Sequence, residues 1–161
     1  MSMIIDGTNG LTFNNATTQA SAGVVLQVVN ATTTTETSNA TSTYADTTLT
    51  ASITPKFATS KILVIVNQQG CQKRPTNTLS GLSLRLLRNS TDLITFQRYG
   101  GYTDTNSYSY FSAVAGNYLD SPATTSAVTY KTQFLNEANA DSVRVQGVSS
   151  ASTITLMEIA Q

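Results

Sequence analysis

The chain has 161 residues, 40% hydrophobic and only 11% charged, with nine Lys or Arg balanced by nine Asp or Glu. That length suits one domain of the usual ~100–200 residues, and the charged fraction is well below the ~25% of an ordinary soluble domain. The absence of histidine and the single cysteine, Cys71, exclude His-based nucleophile systems, zinc sites rich in His or Cys and an intrachain disulfide framework, and zero net charge leaves no general basic field for nucleic acid.

Residues 1–23 read as an extended arm. Asp6-Gly7 and Asn9-Gly10 are turn dipeptides, and Leu11 and Phe13 alternate around Thr12 as in a short strand. Such a segment buries too little to offset a backbone entropy of ~1–2 kcal/mol per residue. It is expected to order against another surface, with Ile4, Ile5, Leu11 and Phe13 as the residues offered to a partner.

The body, residues 24–161, reads as about nine short strands. Residues 24–29 (VVLQVV) are the first, and the polar, Thr-rich stretch 31–44 reads as a long loop or exposed ribbon. In 48–53 (TLTASI) a period of two puts Leu49, Ala51 and Ile53 on one face, and Pro55 ends the strand. Residues 61–67 (KILVIVN) are the most apolar and read as a central strand. Segment 79–87 places Leu82, Leu84 and Leu86 on one face, and Asn89-Ser90 reads as the turn into 92–98. Further strands are expected at 108–115, 126–135, 142–147 and 153–160, and only 136–141 is compatible with a short helix.

This pattern predicts an all-β antiparallel sandwich, in which nine strands with several long loops fit a jelly roll better than a meander. An immunoglobulin-like sandwich is the alternative, but it lacks support because the chain has no Trp and no second Cys. From Lys56 to Arg88 all six charged residues are basic. They would make one face or edge mildly positive, or simply protect strand edges.

Chemistry is hard to place on this sequence. The carboxylates Asp92, Asp104, Asp120, Glu137, Asp141 and Glu158 show no spacing that marks an acid–base pair. Asp104, Asn106 and Asp120 lack the ordered loop signature of a calcium site. No phosphate-binding glycine loop is present, so neither enzyme activity, nor a cofactor, nor a metal is expected. Segment 98–111 carries Tyr99, Tyr102, Tyr108, Tyr110 and Phe111, which suit a strand face, a subunit contact or stacking on sugars. No run is long enough to span a membrane as a helix, no secretory leader is legible, and the four Asn-X-Ser/Thr sequons carry no meaning without one.

One resemblance bears on function. Residues 11–22 (LTFNNATTQASA) resemble a segment, (I/L)-x-F-x-D-G-T-T-Q-x-x-A, of tailed-bacteriophage structural proteins. Leu11, Phe13, Thr17, Thr18, Gln19 and Ala22 are kept, while Asn15-Ala16 stands where that pattern has Asp-Gly. Segments 49–67, 118–130 and 153–160 are similar to small trimeric phage β-sandwich domains. The resemblance implies a virion protein made in the host cytoplasm, a homotrimer without catalytic residues, in contact with a major capsid protein or another virion component. Two roles compete: a capsid decoration or cement protein clamped on by its arm, and a tail or head fibre touching host glycans through the tyrosine loops. An arm plus one domain, without a repetitive shaft, favours cement. A carbohydrate-binding module is the reading from another class, disfavoured by the missing leader and missing Trp.

Overall fold

The computed structural model describes residues 4–6, 10–12, 18–19, 23–74, 79–103, 105, 107, 109–138 and 141–161, the first three of these segments by backbone alone. Three short strands lie before the body: β1 (Ile4–Asp6), β2 (Gly10–Thr12) and β3 (Thr18–Gln19). Among the described residues they pair with one another, antiparallel, in the order β1-β2-β3. Ten strands follow: β4 (Val25–Thr33), β5 (Thr37–Asn39), β6 (Ala45–Ile53), β7 (Lys61–Lys73), β8 (Leu82–Arg88), β9 (Thr91–Gly100), β10 (Ser109–Asp120), β11 (Val128–Asn136), β12 (Val143–Val145) and β13 (Ser152–Ile159).

The pairing of the eight longer strands is nested. The innermost pair is the β8–β9 hairpin, turned at Asn89 and Ser90, with Asn89 at φ 54°. Around it close β7–β10, β6–β11 and β4–β13, each antiparallel. Rolling this long double strand brings β13 beside β7 and β11 beside β8. The result is two sheets, β4-β13-β7-β10 and β6-β11-β8-β9, which is the jelly roll. Short β12 and β5 extend the first sheet beside the end of β7.

Between the sheets the period-two pattern closes the core. Leu49, Ala51 and Ile53 of β6 meet Ile62, Val64 and Val66 of β7 and Ile154 and Leu156 of β13, all buried. A second cluster around Leu82, Leu84, Phe134 and Val143 fills the other end. Polar groups pair between strands: Thr132 Oγ1 donates to Gln68 Oε1 at 2.9 Å, and Gln68 Nε2 donates to Ser152 Oγ at 3.2 Å. All three residues are buried, so these bonds offset the desolvation that would otherwise count against them.

Several sequence expectations need correction. Stretch 31–44 is not one loop, since β4 runs on to Thr33 and Thr37–Asn39 forms β5. Thr accommodates strand geometry, and β13 supplies the ladder, with Ser152 opposite Thr33. Strand β7 continues through the polar QQGCQK to Lys73 because β10 and β12 pair with it there. Strand β10 reaches Asp120, well past residue 115. The fragment 136–141 forms no helix in its described residues; it bends, and the Glu137 N–H bonds the Gly81 carbonyl. Strand 142–147 shrinks to β12, followed by a 3-10 turn at Gly147–Ser149.

Three of the six basic residues between 56 and 88 are engaged within the body. Lys73 is buried with its Nζ on Thr103 Oγ1 at 2.6 Å, whereas Arg85 and Arg88 pair with Asp92 and Asp120. The two outer faces differ in another way. That of β6-β11-β8-β9 carries the pairs Asp46–Lys131 and Arg85–Asp92, as a solvated face should. That of β4-β13-β7-β10 carries a row of four apolar side chains in register, Val28, Met157, Leu63 and Leu119.

Candidate contact sites

The arm joins the body at an edge strand, beside the end of the chain. Gly23 donates its N–H to the Ala160 carbonyl at 2.7 Å, and Ala160 donates back to Val24 at 2.9 Å. Gly23 holds φ 82° in open surroundings, so a left-handed turn rather than crowding calls for glycine there. Next to this root lies a cleft of about 340 Å³ lined by Leu26, Phe57, Thr59, Ala160 and Gln161. Phe57, on the β6–β7 connection, is 55% exposed, an uncommon state for a phenyl ring.

Glu158 fixes that connection from below. Its buried carboxylate accepts the Lys56 N–H at 2.7 Å, the Phe57 N–H at 3.4 Å and Gln27 Nε2 at 2.5 Å. Burial alone would raise its pKa, but these donors outweigh burial and hold the carboxyl below its ordinary value. The anion is held by N–H groups, and Lys56 turns its Nζ to the Leu26 carbonyl at 3.3 Å.

Of the residues the arm was expected to offer, Ile4 and Ile5 fall in β1 and Leu11 in β2, where Ile5 and Leu11 stand opposite each other in register. Phe13 lies outside the described residues. Asp6 opposite Gly10 closes a hairpin where the sequence put its turn dipeptides.

The second site is a tyrosine corner at the end of β9. Tyr99 adopts φ 51°, and its carbonyl accepts the Tyr102 N–H at 3.1 Å. The two rings meet edge to face with centroids 6.4 Å apart, each half exposed. The Arg98 guanidinium sits 5.9 Å from the centre of the Tyr99 ring and is anchored by Glu137 at 3.0 Å. Gly81 permits this corner, since a Cβ there would stand 2.9 Å from the Tyr99 Cα.

Tyr110 is 61% exposed on β10, opposite Gln72, and lines another cleft, of about 290 Å³, with Gly70, Gly147 and Val148. Tyr108 lies outside the described residues. Of the tyrosines singled out from sequence, the structure thus brings Tyr99 and Tyr102 into ring contact. Phe57 and Leu26 at the arm root escaped the sequence reading. The signal was there in Phe57, an aromatic in a polar connection just after Pro55.

The described carboxylates are engaged one by one. Asp92 and Asp120 hold Arg85 and Arg88, Glu137 holds Ser83 and Arg98, and Asp141 accepts the Ser142 N–H at 2.7 Å. Asp104 and Asn106 lie outside the described residues. Among those described, no three of His, Cys, Asp and Glu group as metal ligands would. No helix of the described residues is long and apolar enough to cross a membrane. No protein-family model matches the chain, and a search of curated proteins finds no relative.

Proposed function

We propose that the protein is a structural component of a tailed-phage virion, a decoration or cement subunit that assembles as a trimer and is clamped onto the capsid through its N-terminal arm. The observation that carries this reading is the layout at the root. Gly23, to which the arm is joined, is fixed at a sheet edge of the jelly-roll body, beside an exposed phenyl ring and an open cleft. The similarity of residues 11–22 to phage structural segments supports the same reading. Strand addition or wrapping of the arm on the shell would then supply the attachment. Carboxylates held in structural pairs fit a role without catalysis.

The test is deletion of residues 1–22. The truncated protein is expected to melt as a folded body yet be lost from purified heads. Full occupancy of heads by that variant sinks the arm-clamp reading. A fibre or receptor-binding role is the second reading, favoured by one observation: the half-exposed Tyr99–Tyr102 pair beside Arg98 presents ring faces of the kind on which sugars stack.

A further inference from the structure

We propose that the outer face of the β4-β13-β7-β10 sheet is the surface through which copies of this chain pack on one another. The proposal rests on the self-association in the reading above but not on a virion.

The sequence of the central strands carries the first argument. A strand covered on one face alternates apolar and polar, whereas one covered on both is apolar throughout. Strand β7 begins KILVIV and β13 contains ITLM. The jelly roll covers one face of each, with Ile62, Val64, Val66, Ile154 and Leu156 buried. The other set faces outward, and Ile65 is 42% exposed.

Register joins that set into one patch. Met157 stands opposite Val28 on one side and Leu63 on the other, and Leu63 stands opposite Leu119. Val28 and Leu119, at the two ends of this row, are 56% and 49% exposed. The next row is Asn30, Thr155, Ile65 and Asn117, and the one after is Thr32, Thr153, Asn67 and Ala115. These rows carry no charged side chain; Lys61 stands at the end of the sheet.

Charge and area select the occupant. These three rows offer nothing to steer a charged partner, but two copies of them meet without like-charge repulsion. The Arg144–Glu36 pair lies beyond them, with Arg144 on β12 of the same sheet. Four strands ~4.8 Å apart and about nine residues long give a flat footprint of about 600 Å². With side-chain relief this approaches the ~800 Å² that each partner of a stable interface buries. The opposite sheet, with its ion pairs, is left to solvent.

The experiment is light scattering on the purified chain with no phage present. The unaltered protein is expected at a whole-number multiple of its 17.1 kDa and not at the single-chain mass. Ile65→Lys with Leu119→Lys is expected to reduce it to the single-chain mass while keeping its circular dichroism. Ser52→Lys, on the other sheet, is expected to leave the assembly intact. A stable monomer of the unaltered protein, or a folded double-lysine variant that still assembles, overturns the proposal. Should the double variant fail to fold, Asn117→Cys provides the second arm. A short bismaleimide is expected to link chains at that position and not at Ser52→Cys, and absence of links at position 117 overturns the proposal equally. Head occupancy of the arm deletion is read separately, so either reading can fail without the other.

Discussion

The Tyr130 hydroxyl donates to Asp120 Oδ2 at 2.6 Å, joining β11 of one sheet to the end of β10 in the other. Arg88 adds Nη1 contacts of 2.8 and 3.0 Å to the same carboxylate. Burial first, then the hydrogen bond to the Asp120 anion, pushes the Tyr130 phenol well above its usual range, so it stays a donor. Tyr130→Phe removes one bond and leaves Asp120 paired, which should cost about 1 kcal/mol. Asp120→Ala leaves the buried Tyr130 hydroxyl without its acceptor and Arg88 without its carboxylate, and should cost about 3 kcal/mol. Urea unfolding midpoints measure both, and equal losses would refute the shared-carboxylate account.

Glu158 predicts an acid limb of stability. Its folded pKa lies below the ordinary 4.5, so its contribution is present above that value and is lost as pH falls through the folded pKa. Glu158→Gln keeps the shape but not the anion that Lys56 and Phe57 bind. The variant should melt lower at neutral pH and lose less than the parent between about pH 5 and pH 3. Melting curves across that range check it; parallel curves would remove Glu158 from the account.

Gly70 is required twice over. It holds φ 60°, and an added Cβ would lie 2.4 Å from the Gly147 nitrogen and 2.7 Å from its oxygen, both backbone. Gly70→Ala should therefore destabilise by more than the ~1 kcal/mol expected from an unfavourable φ alone. Gly23→Ala meets only the φ strain, because nothing lies within 4 Å. Comparing the two melting temperatures separates clash from strain, with Gly70→Ala expected the lower.

Cys71 should be inert in the folded protein. Burial pushes its thiol up to about 12, and its Sγ donates to the Gln68 carbonyl at 3.3 Å. A thiol reagent at neutral pH is expected to react slowly with the native chain and fast once urea unfolds it. Rapid native labelling would show that the end of β7 opens.

The tyrosine corner is tested by changing Tyr99 and Tyr102 to Ala. On the fibre reading the unaltered protein binds a glycan array and the variant does not, with an unchanged melting temperature because both rings are half exposed. Binding retained by the variant, or absent from the parent, removes the fibre reading.

Some of this was legible in advance. Leu49, Ala51 and Ile53, and Leu82, Leu84 and Leu86, point inward as their spacing requires, because side chains alternate along any strand. Other features were not. Nothing local shows that Thr32 and Thr33 would find β13, or that polar QQGCQK would stay in a strand, because a ladder partner far along the chain decides it. The described tyrosines of 98–111 fall in two places. Tyr99 and Tyr102 meet through a tight turn, whereas Tyr110 belongs to β10 and borders Gly70 and Gly147.

By itself the sequence determined the class: an all-β chain, since period-two patterns and turn residues are local and survive any arrangement of the strands. It also placed a low-charge, turn-rich segment ahead of that body. Only the tertiary structure decided which strands neighbour which, and with that the nested jelly-roll pairing, the arm root beside Ala160 and Phe57, and the uncharged row from Val28 to Leu119. Those features join residues as far apart as Val28 and Met157. Pairing across such distances depends on the whole core closing at once, and no local window of sequence carries it.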